Sequence, residues 1–109
     1  MRKFAFAALI GCFFFSTQAL AAKPSFKCSK SAHEIEELIC NNDELAGLDV
    51  SLNNLYKTLL KNTPAKAQKR LKAEQSGWVK GRNDCWKSED KVGCTRSEYQ
   101  SRINELKDR

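Results

Sequence analysis

The chain is poor in the residues that interrupt or disorder a backbone. Among 109 residues there are two prolines and five glycines, which excludes a collagen-like or low-complexity chain. It holds one histidine, His33, and no C-x-x-C spacing, so it lacks the usual ligand sets of a zinc site and the usual redox pair. No Gly-rich phosphate loop and no nucleophile motif is present. No apolar run approaches the roughly 20 residues that span a hydrocarbon core; the longest, Phe4 to Phe15, has about 12. No segment alternates like a half-buried strand, and no internal repeat appears. The length admits one domain and excludes a barrel enzyme or a full-size dinucleotide-binding fold. A small helical chain offers little cleft for a substrate, so a non-enzyme with no cofactor and no metal is expected.

What is present begins with a targeting segment. Met1-Arg2-Lys3 is basic, Phe4 to Phe15 is apolar, and Ala19-Leu20-Ala21 has small residues at its ends. These are the three parts of a secretory signal peptide. Residues 1–21 are therefore expected to be removed, with cleavage after Ala21 and Ala22 as the neighbouring choice. A competing pattern, Leu9-Ile10-Gly11-Cys12, resembles a lipoprotein box, but Phe13-Phe14-Phe15 follow the cysteine where a polar tether would stand. The expected product is a single domain over 22–109, periplasmic or secreted, without membrane attachment unless Cys12 is lipidated.

Four cysteines remain in that product: Cys28, Cys40, Cys85 and Cys94. An oxidising compartment preserves paired cysteines, and a small core benefits from such staples. Four cysteines allow three connectivities; the spacing favours the local pairs Cys28 with Cys40 and Cys85 with Cys94.

Helical signals fill the rest. Ser31-Ala32-His33-Glu34 forms a capping-box pattern that predicts a short helix to Cys40. Asn42 or Asp43 caps the next. Leu45, Leu48, Leu52, Leu55 and Leu59 then recur at spacings of three and four, with Tyr56 and Leu60 widening the stripe, to an end near Asn62. Thr63-Pro64 predicts a restart, with Thr63 as cap and Pro64 at the first helical position. A third helix carries Leu71, Trp78 and Cys85, with Ala67, Gln75 and Arg82 on or beside that face, and fades near Trp86 or Lys87. Residues 88–93 form a polar turn, and a second capping box, Thr95-Arg96-Ser97-Glu98, starts a last helix with Tyr99, Ile103 and Leu106 inward. The expected fold is all-α, a small disulfide-stapled helical hairpin or bundle of three to four helices. Its two long helices should pair antiparallel across Asn62–Pro64.

Charge is segregated. Removing residues 1–21 lowers the net charge from +6 to +4. Residues 31–56 hold six acids and no Lys or Arg, whereas residues 57–82 hold eight basic residues against Glu74 alone. The plain expectation is solvated faces that pair across the hairpin. The sharper one is a surface for a charged partner. Nucleic acid is not expected, because no recognition motif or aromatic ladder accompanies the lysines.

Several blocks stand together: Phe26-x-Cys28, Ile39-Cys40, Asp43-Glu44-Leu45-Ala46, Leu48-Asp49 and Tyr56; Gln75-x-x-Trp78, Arg82 and Cys85; Cys94, Tyr99, Arg102-Ile103 and Leu106. The combination resembles the LprI N-terminal domain family of exported lysozyme inhibitor-like proteins. The resemblance implies a small exported helical domain with disulfides, and lysozyme as the expected partner. On their own chemistry, Tyr56, Trp78, Tyr99, Ile103 and Leu106 read as core, and Asp49, Gln75 and Arg82 as a partly buried polar network. For a cationic lysozyme, the acidic segment Glu34, Glu36, Glu37, Asp43 and Glu44 would steer the approach. A loop from Lys87 to Lys91 would then meet the carboxylates of its cleft. The rival expectations are an envelope protein–protein interaction module and a cell-wall glycan binder using the Lys-rich middle segment.

Overall fold

A computed structural model describes residues 23–109. The signal-peptide reading of residues 1–21, and Cys12 with it, lies outside the described residues. Among these residues there are four α-helices and no strand: α1 (Glu34–Cys40), α2 (Asp43–Lys61), α3 (Ala65–Asn83) and α4 (Lys91–Lys107). Short 3-10 turns at Cys28–Lys30 and Asp84–Lys87 precede α1 and follow α3. The expected all-α class holds. No helix among the described residues is long and apolar enough to cross a membrane.

The local disulfide pairing is the one formed: Cys28 with Cys40 and Cys85 with Cys94. Each joins a 3-10 turn to its neighbouring helix. The first fastens the lead-in to the end of α1; the second fastens the end of α3 to the first turn of α4.

The leucine stripe of α2 is read correctly from its spacing. Leu45 and Leu52 are buried, and Leu48, Leu55, Tyr56, Leu59 and Leu60 pack around them. Ala46 from α2, Ile35 and Ile39 from α1, Leu71 from α3, Cys85, and Tyr99 and Leu106 from α4 complete the buried apolar set. Asn42 caps α2, its Oδ1 accepting from the Leu45 amide at 3.0 Å.

Three expected caps are corrected. Ser31 does not cap α1: its hydroxyl donates to the Cys28 carbonyl, and His33 Nδ1 accepts from the Ile35 amide instead. Glu36, not Glu34, reaches back, accepting from the Ala32 amide. The reciprocal logic survives, displaced because the 3-10 turn already occupies Ser31. Thr63 closes α2, donating to the Leu59 carbonyl at 2.6 Å, and does not open α3; Pro64 stands at the cap position and the helix begins at Ala65. Gln68 seals that turn by donating to the carbonyls of Leu60 and Thr63. Finally, α4 starts five residues early. Asp90 caps it through the Gly93 amide, and Thr95 is buried inside the helix, donating to the Lys91 carbonyl. The disulfide from Cys94 to Cys85 falls within the first turn of α4, so the cap lies before Cys94.

The expected hairpin is also corrected. The helices α2 and α3 follow one another through a tight turn but make little contact. Instead α2 packs along α4, α3 packs on α4, and α1 touches all three. The helix α4 is thus the floor on which α2 and α3 splay apart.

Candidate functional site

The splayed helices leave a cleft. At the α1 end it holds a cavity of about 230 Å3 bounded by Ser25 and Phe26 of the lead-in, Glu36 of α1, one face of α2 and one face of α3. A more open depression of about 510 Å3 lies further along the same two helices, past Leu59 and Leu71. The expectation of little cleft therefore fails, because it assumed that α2 and α3 would close on each other.

A buried polar group forms the inner wall of the cavity. Asp49 is 5% and Arg82 3% exposed. The Tyr99 hydroxyl donates to Asp49 Oδ1 at 2.8 Å and accepts from Arg82 Nη1 at 3.1 Å, bridging the two charges. Arg82 Nη1 itself stands 3.9 Å from Asp49 Oδ1. The second Asp49 oxygen accepts from the amide and the hydroxyl of Ser25, at 2.7 and 2.6 Å. The lead-in is thereby drawn across the mouth of the cavity. The guanidinium lies among the rings of Phe26, Trp78 and Tyr99, 5.6 to 5.9 Å from their centroids, where ring quadrupoles favour a cation. Trp78 and Tyr99 meet edge to face at 5.1 Å. Burial, the largest cause, together with the Asp49 carboxylate, pushes the Tyr99 phenol well above its usual range against the opposing pull of Arg82. It stays a neutral bridge.

The network expected from Asp49, Gln75 and Arg82 is thus two networks. Gln75 belongs to the second: its Oε1 accepts from Arg102 Nε at 3.0 Å, and Arg102 Nη1 pairs with Glu105 at 2.8 Å.

The acidic residues expected at a partner surface gather on α1 and the start of α2. Glu34, Glu37, Asp43 and Glu44 are exposed and Glu36 is half-buried. Glu44 is engaged by Arg96 of α4, whose hydrogen bonds at 2.7 and 2.9 Å hold its carboxyl below the usual carboxylate range. The other four have no ion pair among the described residues. Nor do the charged faces pair across α2 and α3 as expected; apart from Arg82 with Asp49, Glu44 pairs with Arg96 of α4 and Glu74 with Arg109, just beyond the end of α4. Lys87 and Lys91 are both exposed around the second disulfide. The 3-10 turn carrying Lys87 contacts α1, so the two charged groups share one end of the molecule.

Trp86 was not singled out by the sequence. It is 46% exposed, the one large exposed apolar side chain among the described residues. Lys87 Nζ lies 5.8 Å over its ring and 3.7 Å from Asp84. The only hint in the sequence is its place next to Cys85, outside the seven-residue spacing of Leu71, Trp78 and Cys85. Among the described residues no cluster of His, Cys, Asp and Glu is arranged to hold a metal.

Comparison with known proteins agrees with this arrangement. The sequence pattern of the family described as "Lysozyme inhibitor LprI" matches residues 28–106, from Cys28 of the first disulfide to the buried Leu106. The chain is 31% identical over 91 residues to proteins named "Lipoprotein LprI" from Mycobacterium bovis and from Mycobacterium tuberculosis. The alignment covers 84% of this chain but 45% of those relatives, so the chain spans just under half their length. No solved structure matches it. With the family pattern spanning both disulfides, the buried Asp49–Tyr99–Arg82 bridge and all four described helices, the chain belongs to the lysozyme inhibitor LprI family.

Proposed function

We propose that this protein is an exported inhibitor that binds lysozyme and blocks its cleft. The observation that carries this reading is the family match over 28–106. The end of the molecule that holds α1 and the second disulfide supplies a surface suited to the task. Trp86 is an aromatic anchor of the kind that dominates interface energetics. Lys87 and Lys91 flank it and suit the pair of carboxylates that a glycoside hydrolase carries. Glu34, Glu36, Glu37 and Asp43 lie to the side, where they attract a cationic enzyme. The protein acts by occupying a site and performs no chemistry. Export follows from residues 1–21. Mass spectrometry of the mature protein should find Ala22 as the first residue, whereas a lipid on Cys12 would make it a lipoprotein, the word its relatives' name carries.

The test is direct. Purified protein is mixed with lysozymes of more than one class, and lysis of cell-wall suspensions is followed. Lysis should fall with added protein and saturate near equimolar amounts. Undiminished lysis at excess protein in every class rejects the proposal and leaves an envelope interaction module as the better reading.

A further inference from the structure

The cleft between α2 and α3 is not used by that surface, and its lining has a distinct chemistry. Phe26, Tyr56 and Trp78 supply aromatic walls, and Asn53, Gln75 and Glu36 supply polar groups. The Asn53 amide and the Tyr56 hydroxyl have no hydrogen-bond partner among the described residues, and Gln75 is held only through its Oε1, leaving its amide nitrogen unused. One carboxylate oxygen of Glu36 accepts from Ala32, and the other is unused. The inner wall, by contrast, is already spoken for. Each nitrogen of Arg82 donates to Asn83 or Tyr99, and Asp49 both neutralises its charge and binds Ser25.

These facts select among ligands. An anion would face Glu36 and Asp49, with no uncommitted cation to receive it. A cation would meet the guanidinium of Arg82 within the same wall. An extended peptide gains its affinity from backbone hydrogen bonds along a strand edge, and here both walls are helices whose backbone groups are satisfied internally. An uncharged ring with apolar faces and a rim of hydroxyls fits all that remains. Aromatic rings cover its faces, while amides, a hydroxyl and a carboxylate donate to and accept from its rim. The volume of about 230 Å3 lies below the roughly 300–1,000 Å3 of pockets for drug-sized ligands, which suits about one ring. The depression beyond it, past Leu59 and Leu71 and flanked by Glu74 and Arg109, gives neighbouring units a path along the same helices.

We propose that the α2/α3 cleft binds a linear, uncharged glycan, with one pyranose ring seated between Tyr56 and Trp78 and the chain running on towards the α2–α3 turn. This site differs from the Lys-rich face considered from the sequence, and it does not rest on lysozyme binding.

The experiment uses no lysozyme. The purified protein is titrated with N-acetylglucosamine oligomers of one to six units, and with cello-oligosaccharides, by calorimetry and tryptophan fluorescence. Saturable binding is expected, tightening by at least tenfold from one unit to four. Asn53→Ala and Tyr56→Phe remove groups that the fold does not use; each should weaken binding about three- to tenfold with an unchanged circular dichroism spectrum. Trp86→Ala should leave binding intact. Absence of saturation at millimolar concentration in both series overturns the proposal. So does binding that both cleft variants leave unchanged, or saturable capture of cell-wall stem peptides in place of the sugars.

Discussion

Asp49 is the residue on which most of the buried polar order depends. It receives Tyr99, neutralises Arg82 and anchors Ser25. Removing one partner of a buried pair strands the other charge, which costs about 3–5 kcal/mol. Asp49→Ala should therefore lower stability by about that amount, a large share of the 5–15 kcal/mol of a typical domain. The double change Asp49→Leu with Arg82→Met should recover much of the loss, as chemical denaturation of the three variants will show. Tyr99 adds a pH signature. Burial raises its folded-state pKa above the unfolded value of about 10. The folded state then holds its proton more tightly, so the stabilisation is complete below about pH 10 and is lost as pH rises beyond it. In urea titrations between pH 9 and 11.5, Tyr99→Phe should flatten that decline relative to the parent. An equal slope in both proteins would refute the assignment. At this scale the sequence is partly legible. Asp49, Gln75 and Arg82 stand out as polar residues on helical faces that are otherwise apolar. Their partners do not, because Tyr99 and Arg102 come from α4, and nothing in local spacing says which distant helix a polar side chain will meet.

The four described helices are legible at the scale of the element, and their ends are less so. The stripe from Leu45 to Leu59 fixes α2 because burial at helical period is a strong signal, and Asn42 caps it as its chemistry suggests. The caps at Ser31, Thr63 and Thr95 misdirect for a common physical reason. A Ser or Thr hydroxyl serves equally as a donor to a nearby carbonyl, and each of these three does so. Disulfide constraints then decide two of the boundaries. The sequence hides a further weakness in α3, which buries Leu71 and Arg82 but carries Gly77 and Gly81 on its solvent side. A Cβ at either glycine meets nothing within 4 Å. Glycine inside a helix costs roughly 0.5–1 kcal/mol relative to alanine, so Gly77→Ala and Gly81→Ala should each stabilise the protein by that amount. Gly93 is the contrasting case, since a Cβ there would strike the Asp90 carboxylate that caps α4. Gly93→Ala should lose part of that cap, and thermal melts of the three variants should separate the two behaviours.

The whole molecule combines a net charge that opposes a cationic partner with a local charge that attracts one. Residues 22–109 carry +4, yet the acids of α1 and early α2 cluster at one end, while the lysines from Lys57 to Lys80 lie along α2 and α3. The sequence shows the segregation but not its geometry, because α2 and α3 were expected to face each other and cancel. Screening decides which field a partner feels. The Debye length is about 8 Å at physiological salt, so an enzyme approaching the α1 end senses the acids there, with Lys87 and Lys91 beside them, and little of the lysines from Lys57 to Lys80. Association and dissociation then depend on different residues. Charges beside an interface act on the rate of encounter, whereas a desolvated aromatic anchor acts on the lifetime of the complex. Glu34→Lys with Glu37→Lys should therefore slow association with lysozyme about tenfold or more at low salt, leave dissociation nearly unchanged, and lose most of the salt dependence. Trp86→Ala should do the reverse, shortening the complex lifetime at an almost constant association rate. Surface-immobilised lysozyme, with rates read from 20 to 300 mM salt, measures both in one series. If the charge reversal changes dissociation as strongly as association, these carboxylates sit inside the contact and do not steer from its edge. If Trp86→Ala changes neither rate, the second-disulfide end is not the binding face.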